Sequence, residues 1–161
     1  MANSEDAALR KQLVEFLGGG SAHATFQKIV EGFPAELRGK KPKGSEHSAW
    51  QLLEHIRLAL SDLYEFSTNA HYVEKKWPDD YWPKEAAPPD DGAWDVSVKA
   101  VKKGMADFEK LVGHPETNLY ATIPWGDGQT ILREVLLAGQ HNSYHLGQLV
   151  SLRRELGAWT D

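Results

Sequence analysis

Cysteine is absent from this sequence, which removes disulfides, thiolate metal ligands and a cysteine nucleophile together. Long apolar runs are missing too, and none approaches the ~18–20 residues that cross a bilayer. The start, Met1-Ala2-Asn3-Ser4-Glu5-Asp6, is polar and acidic and lacks the basic stretch of a secretory signal. These absences suit the cytoplasm, which is the expected location. Positive charge is also short: 18 Lys and Arg stand against 23 Asp and Glu, for a net charge of −5. Nucleic-acid affinity rests mainly on neutralised phosphates, so no nucleic-acid partner is expected. The basic run Arg38-Gly39-Lys40-Lys41-Pro42-Lys43 is short, carries no aromatics and reads as a solvated loop. No G-x-S-x-G elbow occurs, and Gly18-Gly19-Gly20 lacks the Gly-Lys-Ser/Thr that completes a phosphate loop.

What the chain does contain is a globular balance, 41% apolar and 25% charged residues, at a length of 161 that suits one domain. A single domain over 1–161, without repeats or linkers, is expected. Residues 5–31 carry a helical period through Leu9, Leu13, Phe16 and Leu17, and again through Phe26, Ile29 and Val30. Three intervening glycines cost about 1 kcal/mol each in a helix, so the segment should kink or break there, with Ser21 capping the restart. Ser48-Ala49-Trp50-Gln51 fits a capping box and opens a second helix over about 49–67. Its apolar face is Ala49, Leu52, Ile56, Ala59, Leu63 and Phe66.

Residues 69–90 hold Pro78, Pro83, Pro88 and Pro89 among Trp77 and Trp82, so no helix continues there. A third helix follows over about 91–112, with Trp94, Val98, Val101, Met105, Phe108 and Val112 as its stripe. Thr130 caps a fourth, which runs to about 156 before Gly157. Four such helices predict an all-α four-helix bundle. The long connection between helices two and three can return along the bundle, which predicts up-down-down-up topology.

Seven histidines are present. His141 and His145 lie four apart on the fourth helix, where positions differ by about 40° and share a face. His145 interrupts the apolar stripe and His141 borders it, so at least one imidazole points inward and needs a partner. His55 flanks the apolar face of the second helix and could converge on the pair. Three histidines with a vacant fourth position are the arrangement of a catalytic metal site. Read from spacing alone, the same residues equally suit core histidines bonded to backbone carbonyls. The sequence between the pair is His141-Asn142-Ser143-Tyr144-His145, so the glutamate of the H-E-x-x-H proteases is missing.

The segment His47-Ser48-Ala49-Trp50-Gln51-Leu52-Leu53-Glu54-His55-Ile56 resembles the second helix of the DinB-like superfamily. Gly126-Asp127-Gly128-Gln129-Thr130-Ile131-Leu132-Arg133-Glu134 leads into His141-Asn142-Ser143-Tyr144-His145-Leu146-Gly147-Gln148-Leu149, which resembles its final helix. Gly18-Gly19-Gly20-Ser21-Ala22-His23 fits the same branch. The resemblance implies a four-helix bundle with one long crossover, often a homodimer. It further implies a divalent ion, zinc or nickel most often, held by one histidine of helix two and two of helix four, here His55, His141 and His145. His23 and Gln148 are candidates for the surrounding pocket, whereas His71 and His114 fall in loops and His47 is not selected as a ligand. Relatives include thiol-cofactor-dependent transferases and isomerases and proteins assigned as metal-dependent hydrolases. The resemblance therefore implies a metal-dependent enzyme acting on a small molecule, with a low-molecular-weight thiol as a candidate partner. The competing reading is a non-catalytic metal- or ligand-binding bundle.

Overall fold

A computed structural model describes residues 4–159, so Met1–Asn3 of the polar start and the last two residues lie outside the described residues. Leu13 and Leu17, one turn apart, bury the inner face of the first helix, α1 (Ser4–Gly18). The helix stops because Gly19 and Gly20 take φ of +68° and +88°, a left-handed course that other residues rarely adopt. The chain restarts as a short helix, α2 (Phe26–Val30), and the expected break is present. Its cap is not Ser21, as expected, but Thr25, whose side chain accepts from the Lys28 amide. Residues 19–25 separate the two helices, which leaves Ser21 five residues short of Phe26 and too early to cap α2.

The second predicted helix is α3 (Ala49–Thr68), and both halves of its capping box form between Ser48 and Gln51. The third is α4 (Ala93–Gly113), preceded by Asp90, whose carboxylate accepts from the Gly92 and Ala93 amides. The fourth is α5 (Ile131–Glu155), capped by Thr130 on the Arg133 amide. Its far end closes as a Schellman motif: Gly157 at φ +69° bonds to Arg154 O while Ala158 N bonds to Arg153 O. Among the described residues there are five α-helices, one 3-10 turn at Ala35–Leu37 and no strand. The chain is all-α.

The four long helices touch in a ring, since α3 packs on α4 and α5, and α1 packs on the same two. Leu53 and Ile56 of α3, Val101 and Phe108 of α4, and Val135 and Leu149 of α5 are fully buried between them. Arg10 ties α1 to the end of α4 by donating to the carbonyls of Val112, His114 and Thr117 at 2.7–2.9 Å.

The proline-rich connection from 69 to 92 is pinned along α3. Asp62, buried on that helix, accepts from Tyr72 Oη at 3.1 Å and Tyr81 Oη at 2.6 Å, with Lys75 Nζ at 3.5 Å. Further along, Gln51 Nε2 donates to Pro83 O at 3.1 Å and Ser48 Oγ donates to Ala86 O. The first turn of α3 therefore caps itself and holds the connection with the same two side chains. This path lays Trp77, Tyr81 and Trp82 beside His55.

Candidate metal centre

Core packing sets the register that aims each histidine. His55 sits among the buried Leu52, Leu53 and Ile56 of α3 and is itself 2% exposed. His141 and His145 lie one turn apart on α5, with Ala138, Asn142 and Leu149 buried around them. The three imidazoles meet: His55 Nε2 and His141 Nε2 are 2.9 Å apart, and one donor atom from each ring lies within 4.8 Å of the others. Together they form a group that could hold a metal ion.

The outward nitrogens decide which atoms remain free. His55 Nδ1 lies 2.9 Å from the Tyr81 carbonyl oxygen, and because a carbonyl only accepts, this nitrogen carries the proton. His145 Nδ1 donates in the same way to Gln148 Oε1 at 2.7 Å. Both rings thus turn an Nε2 lone pair inward, the tautomer that a carbonyl behind a ligating histidine enforces. At His141 the Nδ1 is buried without a hydrogen-bond partner among the described residues, and so is the neighbouring Asn142 Oδ1.

Burial lowers the pKa of His55 to about 4, with the Tyr81 carbonyl opposing and His145 and His47 adding to the drop. Burial also lowers His141 to about 4, and the charges of His145 and His55 push the same way. His145 is lowered by burial too, against the Gln148 bond. The rings are therefore neutral near pH 7, the form that binds metal.

Aromatic rings wall the cluster. Trp82 stacks on His55 at 3.7 Å between centroids, and His47 stacks on Trp82 at 3.9 Å. Two parallel rings that close to one indole must occupy its opposite faces, so Trp82 is sandwiched between imidazoles. Tyr144 meets His145 edge-on at 5.0 Å, and Trp77 meets His55 edge-on at 6.2 Å. Two spaces adjoin the site. A polar cleft of about 700 Å³ is lined by His47, Tyr144 and Gln148, which contact the cluster or its aromatic wall, whereas a smaller apolar one of about 170 Å³ is lined directly by His55 and His141.

Of the remaining predicted residues, Gln148 lies against His145, as described. His23 does not join the cluster: its Nε2 bonds Ser143 Oγ at 3.1 Å and its Nδ1 bonds Ala24 O at 2.8 Å. His71 and His114 are exposed in connections. Sequence reasoning missed Trp82 and the Tyr81 carbonyl, both placed by the connection after α3, and the stacking of His47, just before α3, on Trp82. The pairing of tryptophans with prolines was its one visible signal, and it read as helix-breaking rather than as site-forming.

Helices presenting an imidazole-only donor set in this way define an all-helical protein with a three-histidine group that could hold a metal ion. Residues 21–149 match the family model of the DinB superfamily, and the chain belongs to that family. The matched span holds all three histidines and leaves α1 outside. No curated protein and no solved structure matches the chain.

Proposed function

We propose that this chain holds one divalent metal ion, zinc or nickel, on His55, His141 and His145 and is a metal-dependent enzyme of the thiol-transferase or hydrolase type. The observation that carries this reading is the inward convergence of three neutral imidazoles, two of them fixed from behind by carbonyl oxygens. Nitrogens about 2.0–2.1 Å from a tetrahedral zinc stand about 3.3 Å apart. The separations here, 2.9 Å for one pair and all within 4.8 Å, are compatible with small rotations of the rings. Three protein donors leave a position for a small-molecule substrate, with a low-molecular-weight thiol as the expected second reactant. When bound, the ion would supply Lewis acidity toward a carbonyl, thiol or water. The chain's own contribution is orientation: Tyr81 O and Gln148 fix two tautomers, and Trp82 shields His55 from water.

The bundle we infer is up-down-down-up, a single domain over 1–161 with the pinned connection as its crossover; the pairs Glu54–Ser97 and Tyr64–Phe108, which advance together along α3 and α4, support a parallel pair. A cytoplasmic homodimer completes the reading, supported by the exposed apolar side chains Leu136 and Tyr144 on α5. Sedimentation at micromolar concentration should return about twice the 18.0 kDa chain mass, and a clean monomer would count against the dimer. Untagged protein purified without chelator should carry close to one equivalent of zinc or nickel by elemental analysis. Protein that stays metal-free and rejects both added ions would refute the proposal. A bound ion that exchanges no ligand at its fourth position would instead mark a non-catalytic binding protein.

A further inference from the structure

The apolar space beside the donors has a size and a lining that select an occupant. It measures about 170 Å³, with Ala59, Leu63, Trp77 and Leu137 around His55 and His141. A cavity of about 150 Å³ is enough to hold benzene. Asp62 at its edge is already engaged by Tyr72, Tyr81 and Lys75, so no free charge faces an occupant from there. Trp77, 66% exposed, is held at the mouth by ring contacts with Tyr81 at 5.5 Å and His55 at 6.2 Å. A large indole kept at an opening rather than in the core offers a flat face to whatever enters. The larger polar cleft lies differently: Gln148, part of its wall, takes the Nδ1 of His145, so an occupant there meets the back of a ligand ring.

We infer that the ligand reaching the metal position is a small molecule that pairs an electron-donating head with one apolar group the size of a single aromatic ring, seated between Trp77 and Leu137. This rests on the metal reading above. The head meets the ion, while the ring leaves water for the apolar wall.

Zinc-loaded protein titrated by calorimetry with acetohydroxamate and benzohydroxamate tests it, because the two share a metal-binding head and differ as methyl against phenyl. Benzohydroxamate should bind at least about tenfold more tightly, from the apolar area that the ring buries. Trp77→Ala should cut that ratio to about threefold or less, with zinc content and acetohydroxamate affinity kept. Leu137→Phe should fill the space and abolish the preference, again with zinc retained. Circular dichroism confirms the fold of both variants. Equal affinities for the two probes on zinc-loaded protein would overturn the pocket and leave the metal site standing. So would a phenyl preference that survives both substitutions. Protein that retains no zinc would overturn the metal reading and this inference with it.

Discussion

His55, His141 and His145 do not carry equal support, and substitutions should reveal it. Each change to alanine removes one of three donors and should lower zinc affinity by at least about a hundredfold. His71→Ala and His114→Ala should leave zinc content intact, since both side chains are exposed in connections. Full occupancy in the His141 and His145 variants, with loss in the His71 variant, would put the site elsewhere. Gln148→Ala frees only the proton-bearing nitrogen of His145, so a smaller loss of about tenfold is expected. Protonation acts at the same scale. His141 has its pKa lowered in the fold from an ordinary 6.5 to about 4, so the folded, metal-free protein binds fewer protons than the unfolded chain between those values. Its contribution is present above pH 6.5 and lost as pH falls toward 4. That loss is on the order of 1–3 kcal/mol, discounting the solvent-screened part of the ring. Thermal unfolding of chelated protein should therefore weaken more steeply over this interval in wild type than in His141→Gln. Parallel pH profiles would refute it. The ordinary histidine value alone places metal release below about pH 6, and burial moves that boundary lower.

At the scale of elements, the crossover does what an isolated helix cannot, bringing a carbonyl and an indole to His55. Asp62 is the anchor, buried and receiving two tyrosine hydroxyls and a lysine. Burial and this carboxylate raise the Tyr72 pKa to about 12 and raise that of Tyr81 as well, so both stay protonated donors. Asp62→Ala should cost about 1–3 kcal/mol in stability. It should also weaken zinc binding about tenfold by loosening the Tyr81 carbonyl. Hydrogen exchange over 72–82 should rise in the same variant, whereas unchanged exchange with weakened binding would mean that Asp62 acts by another route. The contrast with local signals shows what a sequence discloses. Ser48, Gln51 and Thr130 announced their helices because a cap is settled within four residues. Likewise, the apolar stripes placed α3, α4 and α5 within two residues of their ends. Asp62 gave no such sign, because its partners lie 10 and 19 residues onward along a path without periodicity. Ser21 misled for a related reason: how many residues a glycine turn consumes depends on where α2 finds its packing.

For the whole molecule, the question is how much of the fold depends on the ion. Two of the histidines were legible as a pair because they share a helix face; the third was legible as one that could converge on them, and resemblance selected it, since helix pairing is a tertiary property. Buried core also lies away from the site: Phe108 and Val112 of α4 and Val135 of α5 are each 0% exposed. Arg10 adds a polar clasp between α1 and α4 that no metal touches. Removing the ion should therefore leave the helices in place and change only the stability. A ligand that binds the folded state alone adds RT ln(1 + [L]/Kd), about 2.7 kcal/mol at a hundredfold excess over Kd. In a domain of this size 1 kcal/mol shifts Tm by about 2–4 °C, so saturating zinc should raise it by about 5–11 °C. Far-ultraviolet circular dichroism at 25 °C should be nearly superimposable with and without zinc. The His55, His141 and His145 alanine variants should show little or no change in Tm on adding zinc, each from a baseline lowered by the lost imidazole. A chelated protein that loses its helices would show that the ion closes the fold rather than serving a preformed site. A Tm indifferent to zinc in wild type would show that these imidazoles bind it too weakly to matter.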